Sequence, residues 1–330
     1  MPPRKAAAVL TTLVLACVLA ACGSSSAQPH AAGPGGPFAV GKLTTTFVDA
    51  NRSTPALGKF PGAPTRTLPT IVLYPASGAA GGKDETNAAP DRKYGPYPLV
   101  VFAHGNGSNG SEMEHIVRDW VAHGYVVALP TFPVSRKPYG EFQDYTDQPG
   151  DVSFVITKML ELSAIRRSRI SGVIDPSRIA VGGHSLGAIT ALSVSNNTCC
   201  RDARIKAVIS VSGIELPYPG GKYEYTNPPT FLAIHGTADK TVPYVDGHIS
   251  YEHAVAPKFF LTLRGAPHGV FVDPWMPVID RTVQHVLDAN FSPSPAVRAA
   301  ALRGLPRDGN RAGVATLTVT LRSPVSTAHP

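Results

Sequence analysis

Residues 179–188 read Ile-Ala-Val-Gly-Gly-His-Ser-Leu-Gly-Ala, so Ser185 has glycine two positions before it and two after it. The apolar run ahead of it has strand character and the run behind it has helix character, which puts the serine at a sharp junction. Crowding in such a turn admits only small residues at Gly183 and Gly187 and thrusts the Ser185 hydroxyl outward. The start of the following helix favours negative charge, as an alkoxide or a tetrahedral oxyanion would carry. The chemistry implied is acyl transfer through a serine nucleophile. The same spacing also arises by chance around a helix-capping serine; the strand before and the helix after are the context that the motif requires.

A serine nucleophile needs a base to take its proton and a carboxylate to orient the base. Two later segments supply them in the order acid, then histidine: His235-Gly236-Thr237-Ala238-Asp239 and Ala266-Pro267-His268-Gly269. Singly, Asp239 reads equally as a turn residue and His268 as a surface histidine. Jointly they follow consecutive strands, at the carboxyl edge where α/β sheets place ligands. An oxyanion would need the amide of Leu186 and a second amide from a glycine-rich loop. Ala103-His104-Gly105-Asn106-Gly107-Ser108-Asn109 offers one, most simply that of Asn106, with Gly105 allowing the bend and His104 bracing the loop.

These segments need a scaffold that brings strand ends together. Residues 38–48 and 67–74 alternate as leading strands, and 75–97 reads as a polar loop. Residues 99–103, Leu-Val-Val-Phe-Ala, form an apolar run too short for a helix, as in a strand buried on both faces. Helical patterns at 112–122, 152–162, 185–194 and 280–287 then trade places with strand patterns at 125–129, 178–182, 205–211, 230–234 and 259–263. That cadence predicts an α/β fold with a mostly parallel central sheet and helices on both faces. Residues 38–305 are expected to form one domain. Residues 306–330 read either as an added strand, over 314–321, or as a tail.

Together the His104 to Gly107, Gly183 to Gly187, His235 to Asp239 and Pro267 to Gly269 segments resemble the α/β-hydrolase superfamily. Within it they resemble the group holding platelet-activating-factor acetylhydrolases, dienelactone-hydrolase-like esterases, chlorophyllases and cutinase-like polyesterases. The resemblance spans roughly residues 65–290 and implies an α/β-hydrolase fold, a carboxylic-ester substrate and no cofactor or metal. Dienelactone hydrolases proper use a cysteine where this chain has Ser185, so their lactone chemistry does not carry over. No long insertion separates the strand ending near Ser212 from the one starting at Thr230, so no large lid domain is expected. Aromatic residues in 131–145 and 215–225, among them Phe132, Tyr145, Tyr218 and Tyr223, read equally as pocket lining and as loop anchors. The expected function is serine ester hydrolysis of small or lipid-like esters, with polymeric esters or a non-catalytic envelope-binding role on the same scaffold as the alternatives.

The termini and composition set the compartment. Arg4 and Lys5 precede an apolar run over 6–21 interrupted by Thr11 and Thr12. This reads as a signal peptide over 1–21, shorter than the roughly 20 apolar residues of a membrane span. The ending Leu19-Ala20-Ala21-Cys22-Gly23 resembles a bacterial lipoprotein box, which implies lipidation of Cys22, and 22–37 reads as a flexible tether. The expected location is extracytoplasmic, anchored to the cell membrane through Cys22. The charge of +7, and +5 without Arg4 and Lys5, is scattered rather than clustered, which argues against nucleic-acid binding. Of the four cysteines only the adjacent Cys199 and Cys200 stay free for pairing, and two thiols are expected ahead of a vicinal disulfide.

Overall fold

A computed structural model describes Met1 and residues 37–322. The signal-peptide stretch, Cys22 and nearly all of the tether lie outside the described residues. In chain order the elements are β1 (Ala39–Asp49), β2 (Arg66–Ala76), β3 (Glu85–Thr86), β4 (Tyr97–Ala103), α1 (Glu114–Ala122), β5 (Val126–Pro130), α2 (Gln148–Ala164) and β6 (Ile174–His184). They continue with α3 (Leu186–Asn196), β7 (Ile205–Val211), β8 (Thr230–Gly236), α4 (Tyr244–His253), β9 (Lys258–Leu263), α5 (Met276–Phe291), α6 (Pro295–Gly309) and β10 (Ala315–Thr320). Short 3-10 turns at Gly110–Met113 and Phe142–Thr146 lead into α1 and α2.

All strands join one sheet in the order β10-β9-β8-β7-β6-β4-β5-β2-β1-β3. From β5 through β9 every pairing is parallel, whereas β2 on β5, β1 on β2 and β10 on β9 are antiparallel. The short β3 pairs parallel with β1. The parallel core matters for chemistry, because β4, β6, β8 and β9 all end at the same edge and release their loops there. Every residue of β4 is buried, the signature of a strand covered on both faces. One covering layer comes from α1, α5 and α6, with Trp120, Val283 and Leu305 in its core. The other comes from α2, α3 and α4, with Ile156, Leu192 and Tyr251.

The last stretch is the added strand: β10 pairs with β9 across residues 315–320, and α6 packs on α5. Neither α4 nor α6 stands out in the sequence, since both carry weak amphipathic patterns, and α6 contains Pro306. Cys199 and Cys200 are joined as a vicinal disulfide, against the expected pair of thiols. The loop folds so tightly there that a Cβ on Gly221 would come within 2.7 Å of Cys199 Cβ. Among the described residues no helix is long and apolar enough to cross a membrane.

A buried ionic cluster ties the second layer to the sheet. Arg66 on β2 is 1% exposed and donates to Asp144 at 2.7 Å and to Asp151 at 2.7 Å. Such a pair contributes more to placement than to net stability, because desolvation offsets the attraction. What it places is the 3-10 turn carrying Asp144, whose other oxygen accepts the Ser135 amide at 3.3 Å. The Ser135 carbonyl in turn accepts the Gly107 amide at 2.6 Å, so the cluster reaches the glycine-rich loop after β4.

Candidate active site

Ser185 sits between β6 and α3 with φ of 56° and ψ of −120°, a left-handed conformation that costs energy for a residue with a Cβ. Its amide is held by the Val211 carbonyl at 2.9 Å, at the end of β7. The flanking glycines are sterically required. A Cβ on Gly183 would lie 2.3 Å from the Gly187 backbone, and one on Gly187 would lie 2.1 Å from the Ala103 carbonyl oxygen. The elbow is therefore wedged between its own helix and β4.

Asp239 follows β8 and is buried. Its Oδ1 accepts the amides of Thr241 and Val242, both at 2.9 Å, and its Oδ2 accepts His268 Nδ1–H at 2.7 Å. Burial alone pushes this carboxyl up, but the His268 bond and the two amides outweigh it and hold its pKa below the ordinary value. The carboxylate form is thus favoured, and the Nδ1–H bond leaves Nε2 of His268 as the basic nitrogen. The two loops are tied directly, with the Ala238 amide donating to the Ala266 carbonyl at 3.0 Å.

Ser185 and His268 open into one pocket of about 550 Å³, with Gly105 and Asn106 on its other side. The loop after β4 approaches closely: a Cβ on Gly105 would come within 3.3 Å of Ser185 Cβ. Gly107 has its amide committed to Ser135, and the Asn106 side chain donates to the Gly140 carbonyl at 3.0 Å. The Leu186 amide belongs to the first turn of α3, where backbone N–H groups have no partner within the helix.

Three buried or partly buried histidines back these loops. His104 is fully buried; its Nε2 accepts the Phe132 amide at 3.0 Å, so its proton is on Nδ1, which donates to the Gly105 carbonyl at 2.8 Å. His184 donates Nε2–H to the His268 carbonyl at 2.8 Å. His235 donates Nε2–H to the Val242 carbonyl at 3.0 Å and lies 3.5 Å from Asp239 Oδ2. Burial lowers all three, with His104 and His184 brought down to about 4 despite their bonds to carbonyl oxygens. Burial thus favours the neutral form of each ring.

The sequence-predicted residues Ser185, Asp239, His268, Asn106, Leu186, His104, Gly105, Gly183 and Gly187 are brought to one edge of the sheet. The aromatic loop residues are not pocket lining. Phe132 is buried against His104, Tyr145 donates to the Pro217 carbonyl at 2.9 Å, Tyr218 packs on Leu186 and Ile189, and Tyr223 shares a hydrogen bond with Ser193. They anchor loops. The apolar wall of the pocket is instead Met113, Ile116 and Phe271, with Glu112 and His115 beside them. No motif marks them, because they belong to the turn before α1, to the first turn of α1 and to the segment after His268. Among the described residues no cluster of His, Cys, Asp or Glu side chains forms a metal-binding group.

Comparison with known proteins agrees with this geometry. A family model described as Chlorophyllase matches residues 86–240, which run from the end of β3 through the acid loop. No curated protein matches the chain in sequence. Among solved structures, a ferulic acid esterase from Streptomyces cinnamoneus is similar with a TM-score of 0.58 and 20% identity, covering 81% of this chain and 94% of that chain. At that identity the likeness is one of fold; the segment that the family model matches contains Ser185 and Asp239. The chain shares the fold of that esterase, and its central segment is similar to the Chlorophyllase family model.

Proposed function

We propose that the chain hydrolyses small or lipid-like carboxylic esters through an acyl-enzyme on Ser185. The observation that carries this reading is the 2.7 Å bond between Asp239 and His268 Nδ1 beside a pocket that holds both His268 and Ser185. His268 Nε2 takes the Ser185 proton as Oγ attacks the ester carbonyl carbon, and the Leu186 and Asn106 amides stabilise the oxyanion. Collapse breaks the bond to the leaving alkoxide, which receives the proton from His268. Water then attacks the acyl carbonyl, again giving its proton to His268, and the acid leaves as Ser185 is restored. Nucleophile, base and electrostatic stabilisation all come from protein groups. Apolar contacts at Met113, Ile116 and Phe271 suit an alkyl or aryl portion of the ester.

Release of p-nitrophenol from the acetate and butyrate esters tests the mechanism. Ser185→Ala is expected to lose nearly all turnover, and equal rates in parent and variant would refute it. A non-catalytic binding role predicts no turnover in either.

The apolar run over 6–21, the small residues before Cys22 and the Gly/Ser/Pro-rich tether support a diacylated Cys22 that holds the domain outside the cytoplasm on the cell membrane. Cell fractionation checks this: the parent is expected with membranes and Cys22→Ser in the soluble fraction. An unchanged distribution would remove the anchor.

A further inference from the structure

The pocket beside Ser185 is mostly uncharged. Among the described residues that line it, Glu112 is the only Asp, Glu, Lys or Arg side chain. Its carboxylate is held in place, because Ser108 Oγ donates to Oε2 at 2.7 Å and Asn109 Nδ2 donates to Oε1 at 3.2 Å. Asn109 is fixed in turn, its Oδ1 accepting the amides of Ser111 and Glu112 at 2.9 and 3.2 Å. These donors are neutral, so they orient the charge without cancelling it. The contrast with Glu114, two residues on, is direct: Lys42 pairs with it at 2.6 Å, while among the described residues no Lys, Arg or His pairs with Glu112.

A fixed, uncompensated carboxylate next to Met113, Ile116 and the Phe271 ring is a mixed surface. It offers a charge for a cation, methyl and methylene contacts for alkyl groups, and an aromatic ring for an ammonium carried on carbon. The same charge opposes a second carboxylate in the substrate and assists departure of the acid product.

We propose that Glu112 is a specificity-determining residue that makes the site selective for esters bearing a cationic, alkylated ammonium group over uncharged esters of the same shape. This rests on ester hydrolysis at Ser185, and the test separates the two. Acetylcholine and its uncharged carbon isostere serve as probes, because they differ in charge and hardly in volume. Binding of each is measured to the full-length Ser185→Ala chain, which cannot consume them, at mildly alkaline pH where imidazoles are neutral.

The Ser185→Ala chain is expected to bind acetylcholine roughly tenfold more tightly than the isostere, with the ratio shrinking as salt screens the exposed carboxylate. Adding Glu112→Gln is expected to bring the ratio to about one, and Glu112→Lys to reverse it; the ratio is an internal control, since an unfolded chain binds neither ester. Equal binding of the two probes, or a preference that survives Glu112→Gln, would overturn the proposal. A parent enzyme that binds the cation selectively yet releases no p-nitrophenol would instead refute the Ser185 mechanism and leave the selectivity standing.

Discussion

Asp239 and Asp280 are buried to almost the same degree, 9% and 8% exposed, yet the protein drives their acidities in opposite directions. Asp239 stands at the sheet's carboxyl edge with three donors on it: two loop amides and the His268 Nδ1–H. Its pKa falls below the ordinary value although burial opposes this. Asp280 stands on α5 in the seam with α1 and has one donor, Trp120 Nε1–H at 3.1 Å. There burial wins, the neighbouring charge of Asp119 adds to it, and the pKa rises to about 7 against an ordinary 3.8. Burial by itself does not decide the charge of a carboxyl group; the number of donors aimed at it does. The edge favours a carboxylate, and the seam favours a carboxylic acid until the pH approaches about 7.

The largest expected effect comes from removing the charge at the edge. Asp239→Asn preserves size but presents an amide N–H or a neutral oxygen to His268, so the productive tautomer is lost. A fall in kcat on the order of 10⁴-fold is expected for p-nitrophenyl acetate. A loss of less than about tenfold would show that the donors around Asp239 serve the loop's folding and not the base.

The seam should respond in stability. The folded state holds a proton on Asp280 that the unfolded chain releases at the ordinary 3.8. Below that value the group costs nothing, between about 4 and about 7 stability is progressively lost, and above about 7 the full penalty applies. Asp280→Asn keeps an oxygen for Trp120 and carries no charge. It is expected to leave stability unchanged in acid and to raise it by up to about 4 kcal/mol at alkaline pH, read from urea unfolding across the pH range. Parallel stability curves for parent and variant would mean that the seam tolerates a carboxylate, and the contrast with the edge would fail.

How much of this was legible in the chain differs between these regions. The elbow at Ser185 is a local steric problem, and its two glycines declare it within five residues. Asp239 and His268 are readable because each directly follows a strand and their order in the chain matches the chemistry. Asp280, by contrast, looks like any polar position on an amphipathic helix, since its only donor lies 160 residues away on α1. The His184 bond to the His268 carbonyl bridges 84 residues, and the Arg66 bonds to Asp144 and Asp151 bridge 78 and 85. Nothing in the neighbourhood of these residues announces their partners. The aromatic loops show the opposite hazard, for pocket lining and loop anchoring draw on the same residue types, and only packing tells them apart.

By itself the sequence determined the alternation of helix and strand, the tight turn at Ser185, and the placing of Asp239 and His268 after later strands, because hydrophobic period and glycine sterics act over a few residues. The tertiary structure alone decided which walls the pocket has, that Glu112 faces it without a counter-ion, and which buried carboxyl group keeps its proton. Those depend on desolvation and on donors from distant segments, and both come into being only when the layers close on the sheet.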